Sequence, residues 1–261
     1  MRCFTSQCHD TGRIVCLLMT LVLASCSTTE STEPQKWDPE KRADAHVQLG
    51  LDYLRRDQYE VAREELDLAL SIDPDSDRAH HGKALLMAET GYPEEAAAGF
   101  ARAVRINPQN HVAVNDYGIF LCQQGKYDDG LEVLQGIVDR ADNRVRSTTW
   151  LGMGLCHYSA DRWEESQEYL RQVLQVSPGL PQALEPMADM SYRTGNYLSS
   201  RAFVERFVAT GSVTEGILVT GANTELQLGD VDKARQYVSE LRRLYPESPY
   251  IAAFRQLSAN Q

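Results

Sequence analysis

Between residues 43 and 248 the chain repeats one arrangement of small, apolar and turn-forming positions with a period of 34 residues. Units start at residues 43, 77, 111, 147, 181 and 215, in register apart from a two-residue insertion at Val145-Arg146. The eighth position is always small: Gly50, Ala84, Gly118, Gly154, Ala188 and Ala222. So is the twentieth, which holds Ala62, Ala96, Gly130, Ser166, Ser200 and Ala234. The twenty-fourth is always apolar, as Leu66, Phe100, Leu134, Leu170, Val204 and Val238, and the fifteenth is always Gly or Asp. A fixed period of this length marks a stack of identical supersecondary units.

Each unit reads as a helical hairpin. Small residues at positions eight and twenty let helix A approach helix B, and the large residue at twenty-four fills the space between successive hairpins. Gly or Asp at fifteen (Asp57, Gly91, Gly125, Asp161, Gly195, Gly229) breaks the first helix and forms the turn. Proline at thirty-two (Pro74, Pro108, Pro178, Pro246) ends the second helix, because it lacks an N–H and clashes with the preceding turn. Units three and five carry Asp142 and Ser212 there instead. Pro186 falls early in helix A of unit five and is expected to delay its start. Residues 249–261 are expected to form a short capping helix over the end of the stack.

This pattern resembles the tetratricopeptide repeat. The resemblance implies an all-α fold, a right-handed superhelix (solenoid) of six helical hairpins at 43–76, 77–110, 111–144, 147–180, 181–214 and 215–248. It also implies a concave face lined by helix A positions two, five, nine, twelve and thirteen. Val47, Leu51, Leu54, Leu85 and Ile119 then form an apolar stripe facing solvent, which marks a partner-binding groove. Unit five offers a polar stretch on the same face, Glu185, Asp189, Tyr192 and Arg193. The lysine and asparagine clamp that some members use for acidic carboxyl-terminal peptides is not matched.

The segment before the repeats has another character. Ile14 to Ser25 is an apolar run that follows Arg2 and Arg13. As a helix it would span about 18 Å, too short for a bilayer core of roughly 30 Å, so residues 1–25 read as a signal peptide. The run ends Leu23-Ala24-Ser25-Cys26, which resembles a bacterial lipobox. That resemblance implies cleavage before Cys26 and acylation of its thiol and new amine. With Ser27 rather than Asp following, it implies the periplasmic face of the outer membrane. Residues 26–42, whose only large apolar side chain is Trp37, read as a lipidated cysteine and polar tether.

Processing changes the arithmetic of the 261-residue chain. Removing residues 1–25 takes away Arg2, Arg13 and Asp10 and leaves 24 basic against 36 acidic side chains, a balance that disfavours nucleic acid. Of six cysteines only Cys122 and Cys156 remain as thiols. They lie on neighbouring hairpins, where a disulfide is permitted in an oxidising compartment. Packing as two small buried hydrophobes is the preferred reading.

Chemistry is not evident. There is no Gly-rich phosphate loop, CxxC, HExxH or serine elbow. The adjacent His80 and His81 point about 100° apart on a helix and read as surface and groove histidines rather than a metal pair. Glu94-Glu95, Asp128-Asp129 and Glu164-Glu165 recur at early helix B positions, where carboxylates favour the positive helix end. No catalytic residue, metal, cofactor or small-molecule substrate is expected.

A lipobox, a tether and six repeats, with stretches such as DAHVQLGLDYLRRDQYEVAREELDLAL and AVNDYGIFLCQQGKYDDGLEVL, resemble the PilF/PilW family of type IV pilus biogenesis lipoproteins. The resemblance implies a pilotin whose acyl chains at Cys26 hold it at the outer membrane. Its groove would take subunits of the type IV pilus secretin and promote their assembly. The alternative is another periplasmic tetratricopeptide adaptor, serving peptidoglycan hydrolases or outer-membrane assembly factors.

Overall fold

The computed structural model describes residues 38–258. Cys26 and the signal segment lie outside the described residues. Among the described residues twelve α-helices form six antiparallel hairpins: α1 (Pro39–Leu54) with α2 (Tyr59–Ile72), α3 (Asp77–Glu89) with α4 (Pro93–Ile106), α5 (His111–Gln123) with α6 (Tyr127–Val138), α7 (Arg146–Ser159) with α8 (Trp163–Val176), α9 (Pro181–Arg193) with α10 (Tyr197–Ala209), and α11 (Glu215–Leu228) with α12 (Val231–Leu244). Each second helix packs on its own partner and on the first helix of the next hairpin. First helices also touch one another, as α1 with α3, α5 with α7, α7 with α9 and α9 with α11, and so make the inner layer of the array.

The repeat positions act as their residue types require. All six residues at position fifteen adopt left-handed backbone, the four glycines at φ between 75° and 82° and Asp57 and Asp161 at φ 57°. A Cβ at Gly118 would lie 2.6 Å from Leu134 Cγ and 3.0 Å from the Gly130 carbonyl, so position eight must be bare for α5 to close on α6. In the next two hairpins the twentieth residue uses that closeness. Ser166 and Ser200 donate to the carbonyls of Gly154 and Ala188 at 2.8 and 2.9 Å. The residue at twenty-four also reaches the following hairpin, since Leu66 Cδ2 lies 2.8 Å from where a Cβ on Gly82 would stand.

Helix ends follow capping chemistry. Ser76, Asn110, Thr214 and Asp230 accept from the backbone N–H groups of Ala79, Ala113, Ile217 and Lys233. The repeated acidic pairs occupy the first turns of α4, α6 and α8. The four prolines at position thirty-two each follow a 14-residue second helix. Where proline is replaced, other devices end the helix sooner. Gly211 at φ 81° terminates the 13-residue α10, and Asn143 Nδ2 donates to the Ile137 carbonyl at 2.9 Å after the 12-residue α6.

Three features differ from the sequence reading. Helix α1 begins at Pro39, inside the stretch assigned to the tether, with proline in the first turn where no N–H is needed. Pro186 does not delay α9, which starts at Pro181; Pro186 sits buried within it and withholds the N–H that the Gln182 carbonyl would otherwise receive. Residues Pro249–Ser258 form a 3₁₀ helix with a break at Phe254, whose side chain is buried in the core of the last hairpins.

Cys122 and Cys156 are joined in a disulfide, correcting the preference for simple packing. The S–S distance is 2.05 Å and the Cα atoms are 5.4 Å apart. The bond crosses from α5 to α7, first helices of adjacent hairpins. The two-residue insertion before α7 puts Cys156 at position ten of its unit and Cys122 at position twelve of its own. Gly130 makes the room, because a Cβ there would lie 2.5 Å from Cys122 Sγ.

Three outcomes are expected in denaturant unfolding. Gly118→Val should cost about 1–3 kcal/mol by overpacking the hairpin. Gly136→Ala, with nothing within 4 Å of the added carbon, should add about 0.5–1 kcal/mol. Reducing the disulfide, which closes a separation of 34 residues, should cost roughly 3–4 kcal/mol in the loop-entropy account. An unchanged midpoint after complete reduction would contradict that.

Candidate partner-binding grooves

The inner layer divides into a closed half and an open half, and position five of helix A shows the difference. Val47, His81 and Asn115 occupy it in the first three hairpins, and their exposures are 0%, 7% and 2%. Val47 therefore does not belong to the groove assigned from sequence. It lies in the buried cluster with Ala62 and Leu66, where α1 closes on the small residues of α2. His81 is likewise interior rather than a surface or groove histidine. Its Nε2 is 2.9 Å from Asp116 Oδ2, and its ring centre is 5.9 Å from that of Phe100. Arg78 Nη1 pairs with Asp44 Oδ1 at 2.7 Å and ties the first turn of α3 to the second turn of α1.

Leu51, Leu54 and Leu85 remain half-buried, each resting one side on the first core cluster. Gly82 makes space for Leu51, whose Cδ2 would stand 3.3 Å from an added Cβ. Ile119 is also half-buried but packs on a different cluster. It lines a recess of about 320 Å³ between α5 and α7, beside the disulfide and Leu155. Three leucines thus form one apolar surface, and Ile119 begins another.

Leu155 also lines a larger groove of about 810 Å³ across α7, α9 and α11, bounded at one end by Tyr250. Here position five is open, as Glu185 and Val219. Asp189 accepts from Tyr158 Oη at 2.6 Å and pairs with Arg193 Nε at 2.8 Å. Burial, and then the Asp189 hydrogen bond, push the Tyr158 phenol well above its usual range. The same carboxylate raises the Arg193 guanidinium, which also stands 5.8 Å over the Trp163 ring. Glu185 Oε1 accepts from Thr214 Oγ1 at 2.5 Å.

No group of three or more His, Cys, Asp or Glu side chains is disposed to hold a metal among the described residues. No described helix is long and apolar enough to cross a membrane. What the inner layer offers is shaped surface for another chain, in a half-exposed leucine patch and a polar-walled groove.

Comparison with known proteins agrees with this architecture. The tetratricopeptide repeat family matches residues 47–111 and 148–179. The type IV pilus assembly protein PilF of Pseudomonas aeruginosa is 29% identical over 236 residues, covering 88% of this chain and 92% of that protein. The chain is a tetratricopeptide-repeat protein homologous over most of its length to PilF. A solved Pseudomonas aeruginosa PilF structure superposes with a TM-score of 0.78 at 28% identity, over 84% of this chain and 98% of that one. PilW, described as a widely conserved type IV pilus biogenesis factor, shares the fold with a TM-score of 0.74 at 20% identity, over 81% of this chain and 97% of its own. A Haemophilus influenzae protein of unassigned function is 28% identical over 134 residues, 51% of this chain and 75% of that protein.

Within this PilF-like array the sequence reading placed Glu185, Asp189, Tyr192 and Arg193 on the inner face, and all four line the large groove. It missed Tyr158, Val219 and Tyr250. The first two were available from the repeat register, as positions twelve and five of units four and six. Tyr250 lies after the last repeat, beyond any periodic signal.

The reassignment of Val47 is directly testable by thermal melting followed by circular dichroism. Val47→Asp should cost more than about 3 kcal/mol by burying an unpaired carboxylate. Leu54→Asp, at a half-exposed site, should cost less than half as much. Equal losses would return Val47 to the surface.

Proposed function

We propose that this chain is a lipid-anchored pilotin of a type IV pilus system. Acyl chains at Cys26 hold it on the periplasmic face of the outer membrane, where several chains at about 0.8 kcal/mol per buried CH₂ give durable attachment. The leucine patch of the first two hairpins, Leu51, Leu54 and Leu85, takes an apolar segment of a secretin subunit, and Ile119 offers a separate apolar contact on the third. Holding that segment keeps subunits from aggregating and brings them to the membrane in which they multimerise. The array carries no reacting group in this scheme; packing and delivery are its whole contribution.

The observation that supports this reading is the homology to a type IV pilus assembly protein over 88% of the chain, not one hairpin. Function does not follow from the repeat alone, because tetratricopeptide arrays serve many partners. The half-exposed leucines add a physical reason. Apolar side chains left open on the inner face of a rigid scaffold gain about 25 cal/mol per Å2 when a partner covers them.

The test is a deletion strain complemented with variants, scored by secretin multimers that survive mild detergent on gels. Loss of multimers on deletion and recovery with the wild-type chain are expected. Cys26→Ser should leave the repeats folded and the multimers absent from the outer membrane. Leu51→Glu and Leu85→Glu should each weaken secretin capture by about tenfold or more, with helicity intact. Normal multimers in the deletion strain would overturn the pilotin reading. Co-purification of cell-wall hydrolases without secretin would favour the adaptor alternative.

A further inference from the structure

The groove over α7, α9 and α11 is not used by the function proposed above, and its chemistry is specific. Three carboxylates face it: Glu185 and Asp189, one turn apart on α9, and Glu215 at the start of α11. The one guanidinium present, Arg193, is committed to Asp189 and to the Trp163 face. Neither Glu185 nor Glu215 forms an ion pair among the described residues. Pro186 leaves the Gln182 carbonyl without its helical donor on the same rim. The polar wall is therefore rich in acceptors and negative in charge.

These acceptors are held in place. Asp189 is fixed from two sides by Tyr158 and Arg193, and Glu185 by Thr214. Gly216 leaves room for it in this position, since a Cβ there would lie 2.6 Å from Glu185 Oε1 and displace the carboxylate. The remaining surface is aromatic and aliphatic, from Leu155, Tyr192, Val219 and Tyr250. Neighbouring helix axes about 8–10 Å apart make the groove roughly 16–20 Å across its three helices, the span of some five to six residues of extended chain.

We propose that this groove is a second docking site, which binds an extended protein segment carrying Lys or Arg side chains between apolar ones. The cations meet Glu185 and Glu215, and the apolar side chains lie against Tyr192, Val219 and Tyr250. A basic segment satisfies the unpaired carboxylates, whereas an acidic one meets like charge on a desolvated wall. The site stands apart from the leucine patch, so one chain holds two different segments at once.

The test uses the full chain in detergent micelles and fluorescence anisotropy of a labelled peptide of about twelve residues that alternates Lys with Leu and Tyr, long enough for the groove. Its counterpart with Glu for Lys is the control. The basic peptide should bind at least tenfold tighter than the acidic one, and Glu185→Gln combined with Glu215→Gln should weaken it about tenfold or more. Tyr192→Ala should weaken both the basic peptide and an uncharged analogue. Leu51→Glu should leave this binding unchanged while lowering secretin capture, which separates this proposal from the pilotin reading. Equal affinity for both peptides, no loss in the doubly substituted chain, loss with Leu51→Glu, or no binding of the basic peptide would each overturn it.

Discussion

The array rests on the contact by which a small residue at position eight lets the large side chain at position twenty-four close onto the first helix of its hairpin. At Gly50, Gly118 and Gly154 the leucine of the same hairpin sits within 2.8 Å of where a Cβ would be. That distance sets the separation of the two helices. The same side chain then projects into the next hairpin, as Leu66 does at Gly82, so the spacing within one unit fixes the spacing to its neighbour. A solenoid has no central core to absorb error, and each interface inherits the geometry of the last.

Polar interactions modify this frame where the repeat departs from its pattern. In the last two hairpins Glu225 is 1% exposed and is held by both Nε and Nη2 of Arg201, with Lys233 Nζ at 3.3 Å. Beside it Ser200 shares a hydrogen bond of 2.8 Å with Thr224. A carboxylate taken out of water is tolerable only with such partners, and removing one leaves a charge uncompensated. This arrangement fixes α10, α11 and α12 in a single relation, and with it the α11 wall of the large groove. The disulfide does comparable work in the middle of the array, clamping α5 to α7 near their C-terminal ends.

The repeat was legible because its positions are enforced by excluded volume and backbone sign, which act on residue type directly. Position fifteen needs left-handed backbone, so Gly or Asp appears; position eight has room for a methyl group at most, so Gly or Ala appears. The groove was less legible because exposure on the inner face depends on how closely neighbouring first helices approach, and no residue reports that alone. Val47, His81 and Asn115 share a register position with Glu185 and Val219, yet the first three are interior and the last two line a groove. A buried histidine and asparagine at that position hinted at polar partners rather than solvent, and His81 has one in Asp116. The disulfide was equally undecidable from spacing, because the insertion shifts Cys156 by two positions relative to Cys122.

The division into closed and open halves has a consequence for how such a scaffold holds partners. Where position five is buried, the apolar positions left half-exposed in hairpins one and two are nine and twelve, and these are leucine and alanine. A surface of that kind contributes affinity by area and discriminates weakly among apolar segments. Where position five is open, α9 presents carboxylates one turn apart, already oriented by Tyr158, Arg193 and Thr214. Preorganised acceptors add little to affinity from area but reject segments of the wrong charge, because a mismatched partner would strip water from carboxylates without replacing its hydrogen bonds. Affinity and selectivity are thus assigned to different hairpins of one rigid array, a separation available to a solenoid because its binding face runs along the chain.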